Sequence, residues 1–269
     1  MTTLSVSIVT YDVARELFVS VLDALSAAIN ETVSNNLVTA HSVVIVDNGD
    51  DSDFLRETVK QFDTLQCRII DNSQNTGFAS GHNRALQDCD ADIHLILNPD
   101  ALLAPDALSV GLSYLEKNPE TVLISPYAEN PDGSQAYLCK RYPTVLDLFI
   151  RGFLPASLRR RAATRLARYE CQDFSATEAT KGVPIVSGCC MLLRTSAIRS
   201  IDGFNEKYFL YFEDFELSLK IAVLGSIDYL PDMRIVHHGG MASRKGLKHI
   251  GMFCKSAFTF FRQNGWKLV

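Results

Sequence analysis

The chain lacks a C-x-x-C pair, an internal repeat, a low-complexity tract and any acidic residue after Asp232. Its seven cysteines are odd in number, with Cys189 and Cys190 adjacent in an apolar run. That usage argues against a disulfide framework and for a reducing compartment. Neither G-x-G-x-x-G nor G-x-x-x-x-G-K-[ST] occurs, so Rossmann dinucleotide binding and a P-loop are both unsupported. No apolar run approaches the roughly 18 residues of a membrane span. Met1-Thr2-Thr3 leads straight into a strand-like segment without the basic start of a secretory leader. His237-His238-Gly239-Gly240 sets two histidines too close for the usual zinc spacing, and no cysteine pair accompanies them, so a structural zinc site is not expected.

What is present is ordinary globular composition, 47% hydrophobic over 269 residues, enough for one large or two small domains. A formal charge of -5 gives no reason to expect nucleic acid as a partner. Charge is unevenly placed, however. Lys140, Arg141, Arg151, Arg159, Arg160, Arg161, Arg165 and Arg168 face a single acid, Asp147, in that stretch. A second basic group, Arg234, Arg244, Lys245, Lys248, Lys255, Arg262 and Lys267, follows Asp232. Residues 145–168 mix these arginines with apolar side chains. Three readings stay open: an amphipathic element on anionic lipid, a lid, or a solvated basic helix.

Apolar runs and helical spacings alternate. Residues 4–9, 42–46, 68–70 and 93–97 read as strands, and residues 12–29, 54–62, 79–89 and 105–115 as helices. Residues 184–193 and 227–230 read as further strands, with Thr195 capping a short helix after the first, and Ile235-Val236 leads to the paired histidines. The alternation predicts α/β architecture with a mostly parallel sheet. Thr10-Tyr11, Asp47-Asn48 and Asn98-Pro99-Asp100 each fall just beyond the carboxyl end of a strand, the edge where open α/β sheets bind ligands. Turn chemistry accounts for each of them singly but not for the shared edge. Asn75, Gly77, Gly81 and Asn83 surround a helix start whose amides can approach an anion. Residues 208–212 are apolar and run into Glu213-Asp214, and Phe212, Phe215, Leu219 and Ala222 follow at helical spacing. The pair reads either as helix-dipole complement or as a general base at a cleft, with Glu216 and Lys220 forming an i,i+4 ion pair behind it.

In order, these residues resemble the family 2 inverting glycosyltransferases of GT-A fold, in the bacterial rhamnosyltransferase-like branch. The carriers are Val6-Ser7-Ile8-Val9-Thr10-Tyr11, Val46-Asp47-Asn48, Asn75-x-Gly77-Phe78-x-x-Gly81-x-Asn83, Leu97-Asn98-Pro99-Asp100, Ser187-Gly188, Gly203-Phe204-Asn205-Glu206, Glu213-Asp214 and His237. The resemblance implies a GT-A sheet with a Rossmann-like nucleotide-sugar half (1–125), an acceptor and catalytic half (126–245) and a basic helical tail (246–269). It implies that Thr10, Tyr11, Asp47 and Asn48 meet the nucleotide, and that Asn75, Gly77, Gly81 and Asn83 shape the sugar-nucleotide pocket. Asn98 and Asp100 would stand at a D-x-D position, with Asp100 and His237 holding Mg2+ or Mn2+. Asp214 would be the base and Glu213 its support. The implied reaction moves L-rhamnose from dTDP-rhamnose to a cell-surface glycan, as in lipopolysaccharide, or to a lipid-linked saccharide. The implied place is the cytoplasm, at the inner-membrane face. A UDP-sugar donor or a non-catalytic glycan-binding relative are the alternatives. Four positions depart from the family pattern: Asn98 and Asn205 replace acids, Glu216 an Asp and Lys220 an Arg.

Overall fold

The computed structural model describes residues 2–72, 74–239 and 246–269. Gly240, Arg244 and Lys245, named above, lie outside the described residues, as does the side chain of Lys248. The first half alternates as the pattern predicts: β1 (Thr2–Thr10), α1 (Arg15–Ser34), β2 (Val38–Asp47), α2 (Ser52–Val59), β3 (Cys67–Asp71), α3 (Gly77–Leu86) and β4 (Ile93–Leu97). Then come β5 (Ala101–Leu103), α4 (Ala107–Lys117), β6 (Thr121–Glu129), β7 (Gln135–Ala136) and β8 (Cys139–Lys140). Three helices follow, α5 (Val145–Phe153), α6 (Ala156–Arg161) and α7 (Ala163–Tyr169). The chain returns through β9 (Ile185–Val186), β10 (Cys190–Arg194), α8 (Thr195–Ser200), α9 (Glu213–Ile221), β11 (Ser226–His237) and α10 (Leu247–Asn264).

The main sheet has the order β3-β2-β1-β4-β10-β6-β11-β5, with β7 paired to β6. β1 to β4, β6 and β11 share one direction, and β5, β7 and β10 run against it. β8 and β9 form a separate ribbon. α1 and α4 cover one face over a cluster that includes Ile8, Leu25 and Leu192, and a second cluster with Ile96, Leu193 and Leu217 fills the other. α1 is long and apolar enough, by length and composition, to cross a membrane, which corrects the expectation that nothing approaches that length. Its stripe of Phe18, Val21, Leu22, Leu25 and Ile29 is spent on the sheet.

Several boundaries differ from expectation. Residues 184–193 are not one strand: Ser187-Gly188 interrupts it, leaving β9 in the ribbon and β10 in the main sheet. Thr195 is the first residue of α8 rather than its cap, because Arg194 is the extended residue. The strand expected over 227–230 runs on to His237 as β11, with a register shift between Leu230 and Arg234 around Pro231. Phe212 precedes α9 and Ala222 is its exposed end. α9 is covered on two sides, by Leu217 and Ile221 in the second cluster and by Phe215 and Leu219 against a third, aromatic one.

A polar chain crosses the core between β1, β4 and α3. Cys89 Sγ, Ser5 Oγ, His94, Ser7 Oγ and His82 are linked at 2.8, 2.5, 2.8 and 2.7 Å. Burial lowers the His94 pKa to about 3, and burial together with the neighbouring His94 holds His82 well below its ordinary value. Both rings stay neutral in the fold while the unfolded chain protonates them near 6.5. Stability is therefore full above that pH and falls as the pH drops toward 3, by up to about 1.4 kcal/mol per pH unit for each ring. Urea midpoints measured from pH 7.5 to 5 should fall accordingly, and His94→Gln should flatten the fall; midpoints constant over that range would contradict it.

Candidate active site

Register alone gathers distant segments at one edge. Thr10, Asp47 and Asp71 are paired neighbours at the ends of β1, β2 and β3. Cys190 pairs with Leu97, so the residues before the antiparallel β10 lie beside those after β4, and Asn98 N–H donates to Cys189 C=O at 2.8 Å. β11 runs antiparallel to β5 with His237 opposite Ala101, which sets His237 Nε2 3.4 Å from Asp100 Oδ1.

A cavity of about 610 Å³ opens on this edge, within the range of small-molecule sites. Tyr11, Asn48, Asn75, Gly77, Asn98 and Asp100 line it, as the sequence suggested for a ligand pocket, and Phe209, Leu210 and His249 close it from the other half. The sequence marked Phe209 and Leu210 only as part of an apolar run and gave no sign of His249; the approach of residues 208–212 to α3 brings in the first two, and the contact of Tyr211 with α10 brings in His249. That approach requires Gly77, with φ +87°, where a Cβ would sit 2.3 Å from the Phe209 carbonyl oxygen. Phe78 N–H donates to the same oxygen at 3.1 Å.

Thr10, Asp47, Gly81 and Asn83 stand behind the cavity wall, and Asn48 also braces it from within. Asp47 is fully buried and accepts from Thr10 Oγ1 (3.2 Å), Gly49 N–H (2.9 Å) and Ser52 Oγ (2.8 Å). Asn48 Nδ2 donates to Gly77 C=O at 3.0 Å, fixing the start of α3. Gly81 lets α3 lie on β1, since a Cβ there would meet Val9 at 2.8 Å. Asn83 clamps the Gly203-Phe204-Asn205-Glu206 loop: its Oδ1 accepts from Phe204 N–H, and its Nδ2 donates to Phe204 C=O, both at 2.8 Å.

Glu213 and Asp214 open α9 but do not line the cavity. Two consecutive non-glycine residues in the left-handed region, Tyr211 (φ 72°) and Phe212 (φ 67°), swing the chain into the helix. Each such residue costs about 1–3 kcal/mol. α10 holds the turn in place: Phe212 packs on Phe253 and Phe260, and Tyr211 Oη meets His249 Nδ1 at 3.1 Å. Ser256 Oγ also donates to Leu210 C=O at 2.8 Å. Asp214 is half-buried and accepts from Gly188 N–H (3.0 Å) and Phe215 N–H (2.9 Å). Glu213 is buried, and its Oε2 has no hydrogen-bond partner among the described residues. Burial raises both carboxyls, and Asp214 adds further to Glu213, which lies well above its ordinary value. The two amide donors, from Gly188 and Phe215, serve Asp214, so of the two carboxyls they favour ionisation at Asp214.

The departures at 205, 216 and 220 form one network. Asn205 Nδ2 and Lys220 Nζ both lie 2.8 Å from Glu216 Oε1. Burial raises the Glu216 pKa, but bonds from Lys220, Tyr208 and Asn205 outweigh it and hold the group below its ordinary value.

Among the described residues no cluster of three or more His, Cys, Asp or Glu forms a ready-made metal site. The carboxylate–imidazole pair of Asp100 and His237 at the cavity edge is compatible with a hard cation that takes its remaining ligands from a diphosphate and water.

The fold is that of the GT-A glycosyltransferases. Mannosyltransferase PcManGT from Pyrobaculum calidifontis, solved with GDP-Man and Mn2+, superposes with a TM-score of 0.60 at 18% identity, over 99% of this chain and 76% of that one. GalNAc-T7, solved with UDP, GalNAc and Mn2+, gives 0.62 at 16% identity over 88% of this chain, which spans only 43% of that one. The chain belongs to the glycosyltransferase-like family 2, whose family model matches residues 4–247. Among curated relatives, an N-acetylglucosaminyl-diphospho-decaprenol L-rhamnosyltransferase of Mycobacterium tuberculosis is 26% identical over 240 residues, covering 84% of this chain and 76% of that one. Rhamnosyltransferase WbbL of Escherichia coli K12 is 22% identical over 227 residues, 82% of each chain.

Asn205→Asp would set a second carboxylate against Glu216 in place of a donor. It should lower unfolding stability by about 1–3 kcal/mol. Adding Glu216→Gln should recover part of that loss, giving a favourable coupling energy in a double-mutant cycle. Strict additivity would show that the two side chains do not act together.

Proposed function

We propose that this glycosyltransferase inverts the anomeric centre of L-rhamnose as it moves the sugar from dTDP-rhamnose to a hydroxyl of a glycan or lipid-linked saccharide. Family membership makes the chain a glycosyltransferase, and the two rhamnosyltransferase relatives support the choice of donor. The observation that carries the inverting reading is the unequal carboxyl pair at the start of α9.

Asp214 takes the proton of the acceptor hydroxyl as that oxygen attacks the anomeric carbon. Gly188 and Phe215 amides hold the receiving carboxylate in place, and positioned proton transfer contributes roughly 10²–10⁴-fold. Glu213 stays protonated beside it and keeps a second charge away. Tyr11, Asn48, Asn75 and Asn98 bind the nucleotide sugar in the cavity. Thr10, Asp47, Gly81 and Asn83 brace the walls from behind. Asp100 and His237 would hold Mg2+ or Mn2+, which when bound neutralises the charge that develops on the departing diphosphate. Asn98 brings an amide to this edge rather than a charge, so Asp100 supplies the carboxylate. The seven free thiols fit a reducing, cytoplasmic place of action.

Asp214→Asn should lower kcat by a factor of about 10² or more while a donor-induced rise in Tm persists; near wild-type turnover would remove Asp214 from this role. The base works only when ionised, so activity should rise with pH through a limb displaced above the ordinary aspartate value, as burial of Asp214 requires. A limb at the ordinary position would mean the carboxylate is solvated. Chelators should depress activity, with recovery on adding Mg2+ or Mn2+; full activity in chelator would free Asp100 and His237 from the metal. A thermal-shift panel of TDP-, UDP- and GDP-sugars tests the donor, and a response to a UDP-sugar alone would replace rhamnose.

A further inference from the structure

The face made by α5, α6 and the segment after α10 takes no part in the site described above. Arg168 aside, the basic stretch that feeds it separates into two groups. Lys140 is buried, Arg141 pairs with Asp173 (2.7 Å), Arg151 with Glu170 (3.2 Å) and Arg165 with Asp147 (2.6 Å). These hold the fold together. Arg159, Arg160 and Arg161, consecutive on α6, are exposed, and no ion pair joins them to a carboxylate among the described residues.

Beside these arginines the surface is apolar. Phe149 and Phe153 stack with ring centroids 5.9 Å apart, 53% and 48% exposed, and Leu158 on α6 is 43% exposed. The chain after α10 lies against the start of α5: the amides of Val145 and Leu146 donate to the carbonyls of Lys267 and Leu268 at 2.9 and 3.2 Å. Phe149 is one helical turn on from Val145. Trp266, 53% exposed and stacked on Phe261, and Leu268, 64% exposed, flank these backbone bonds to the start of α5. Exposed aromatics next to unpaired arginines, on a chain of net charge -5, are a local exception to its surface.

We propose that this face docks on a bilayer containing anionic phospholipid, with Phe149, Phe153 and Trp266 at headgroup depth and Arg159, Arg160 and Arg161 against lipid phosphates. Aromatic rings favour that depth, and basic side chains gain from the negative surface. The charge complementarity selects lipid over a second copy of this chain, whose identical face would set arginine against arginine. Docking also has a route to the site. α10, which precedes Trp266, packs Phe253 and Phe260 on Phe212 next to Glu213. Docking would bring the enzyme to a lipid-linked acceptor, a use that rests on the proposed function while the docking itself does not.

Trp266 is the only tryptophan in the chain and reports directly. Mixed phosphatidylglycerol–phosphatidylcholine vesicles should shift its emission to the blue, brominated lipid should quench it, and the protein should sediment with the vesicles. Pure phosphatidylcholine should bind far less, and added salt should release the protein. Replacing all three of Arg159, Arg160 and Arg161 with Gln should weaken vesicle binding about 100-fold, from roughly five-fold per charge, while the Tm rise with nucleotide sugar is unchanged. Phe149→Ser with Phe153→Ser should weaken binding without altering its salt dependence. An emission spectrum indifferent to anionic vesicles would overturn the proposal, as would equal binding to neutral ones. So would lipid-free self-association that itself shields Trp266. Because the donor assay uses no lipid, failure of docking leaves the catalytic reading standing, and the reverse also holds.

Discussion

The bond from Gly188 N–H to the Asp214 carboxylate, 3.0 Å long, joins the sheet to the helix that carries the charged pair. Three other features make it possible. β10 runs against its neighbours, which brings Gly188 back to the edge where β4 ends. Gly188 itself has no side chain, and a Cβ there would lie 3.0 Å from Phe78 and 3.4 Å from Asp214. The left-handed turn at Tyr211 and Phe212 aims the first residues of α9 at that amide. Such a turn persists only where its surroundings over-determine it, and here the aromatic packing from α10 does so. The helix expected as a tail is therefore a support of the site, with Phe260 and Phe261 buried in the same cluster as Phe212.

The same logic explains how two adjacent acids differ. Both are desolvated, and desolvation alone would treat them alike. What separates them is the supply of donors, two amides on one side and an orphaned oxygen on the other. A second local matching governs residues 205, 216 and 220. An acid at 205 would repel Glu216; the amide there donates to it instead, and Lys220 completes the charge balance. Differences from the family pattern that look independent along the chain are one adjustment in space.

Much of this was legible along the chain and some was not, for physical reasons. β1, β2 and β4 are short apolar runs closed by turn-forming acids and amides, and periodicity finds such strands. The ligand edge followed from where those residues fell. β6 escaped because Pro126 lies inside an unalternating run, while β10 was found as a strand but not as an antiparallel insertion, which leaves no local mark. The meeting of Asp100 with His237 depends on the register between β5 and β11, and the clamp from Asn83 to residue 204 spans 121 residues. A polar residue in a motif can serve either the ligand or the wall that holds it. Sequence could not place Thr10 and Asp47 behind the cavity, or Tyr11 beside it, because all three lie at strand ends and only the packing decides which faces the cavity.

The antiparallel strand also bears on biosynthesis. β4 is buried throughout, yet one of its edges is paired only by residues made about ninety positions later. At roughly 5–20 residues per second, a ribosome takes several seconds to supply them. During that interval the nascent chain presents a greasy, unpaired strand edge, the kind that recruits another chain. The inserted strand that builds the site thus sets the length of the enzyme's vulnerable period, and with it a need for chaperone cover on the ribosome.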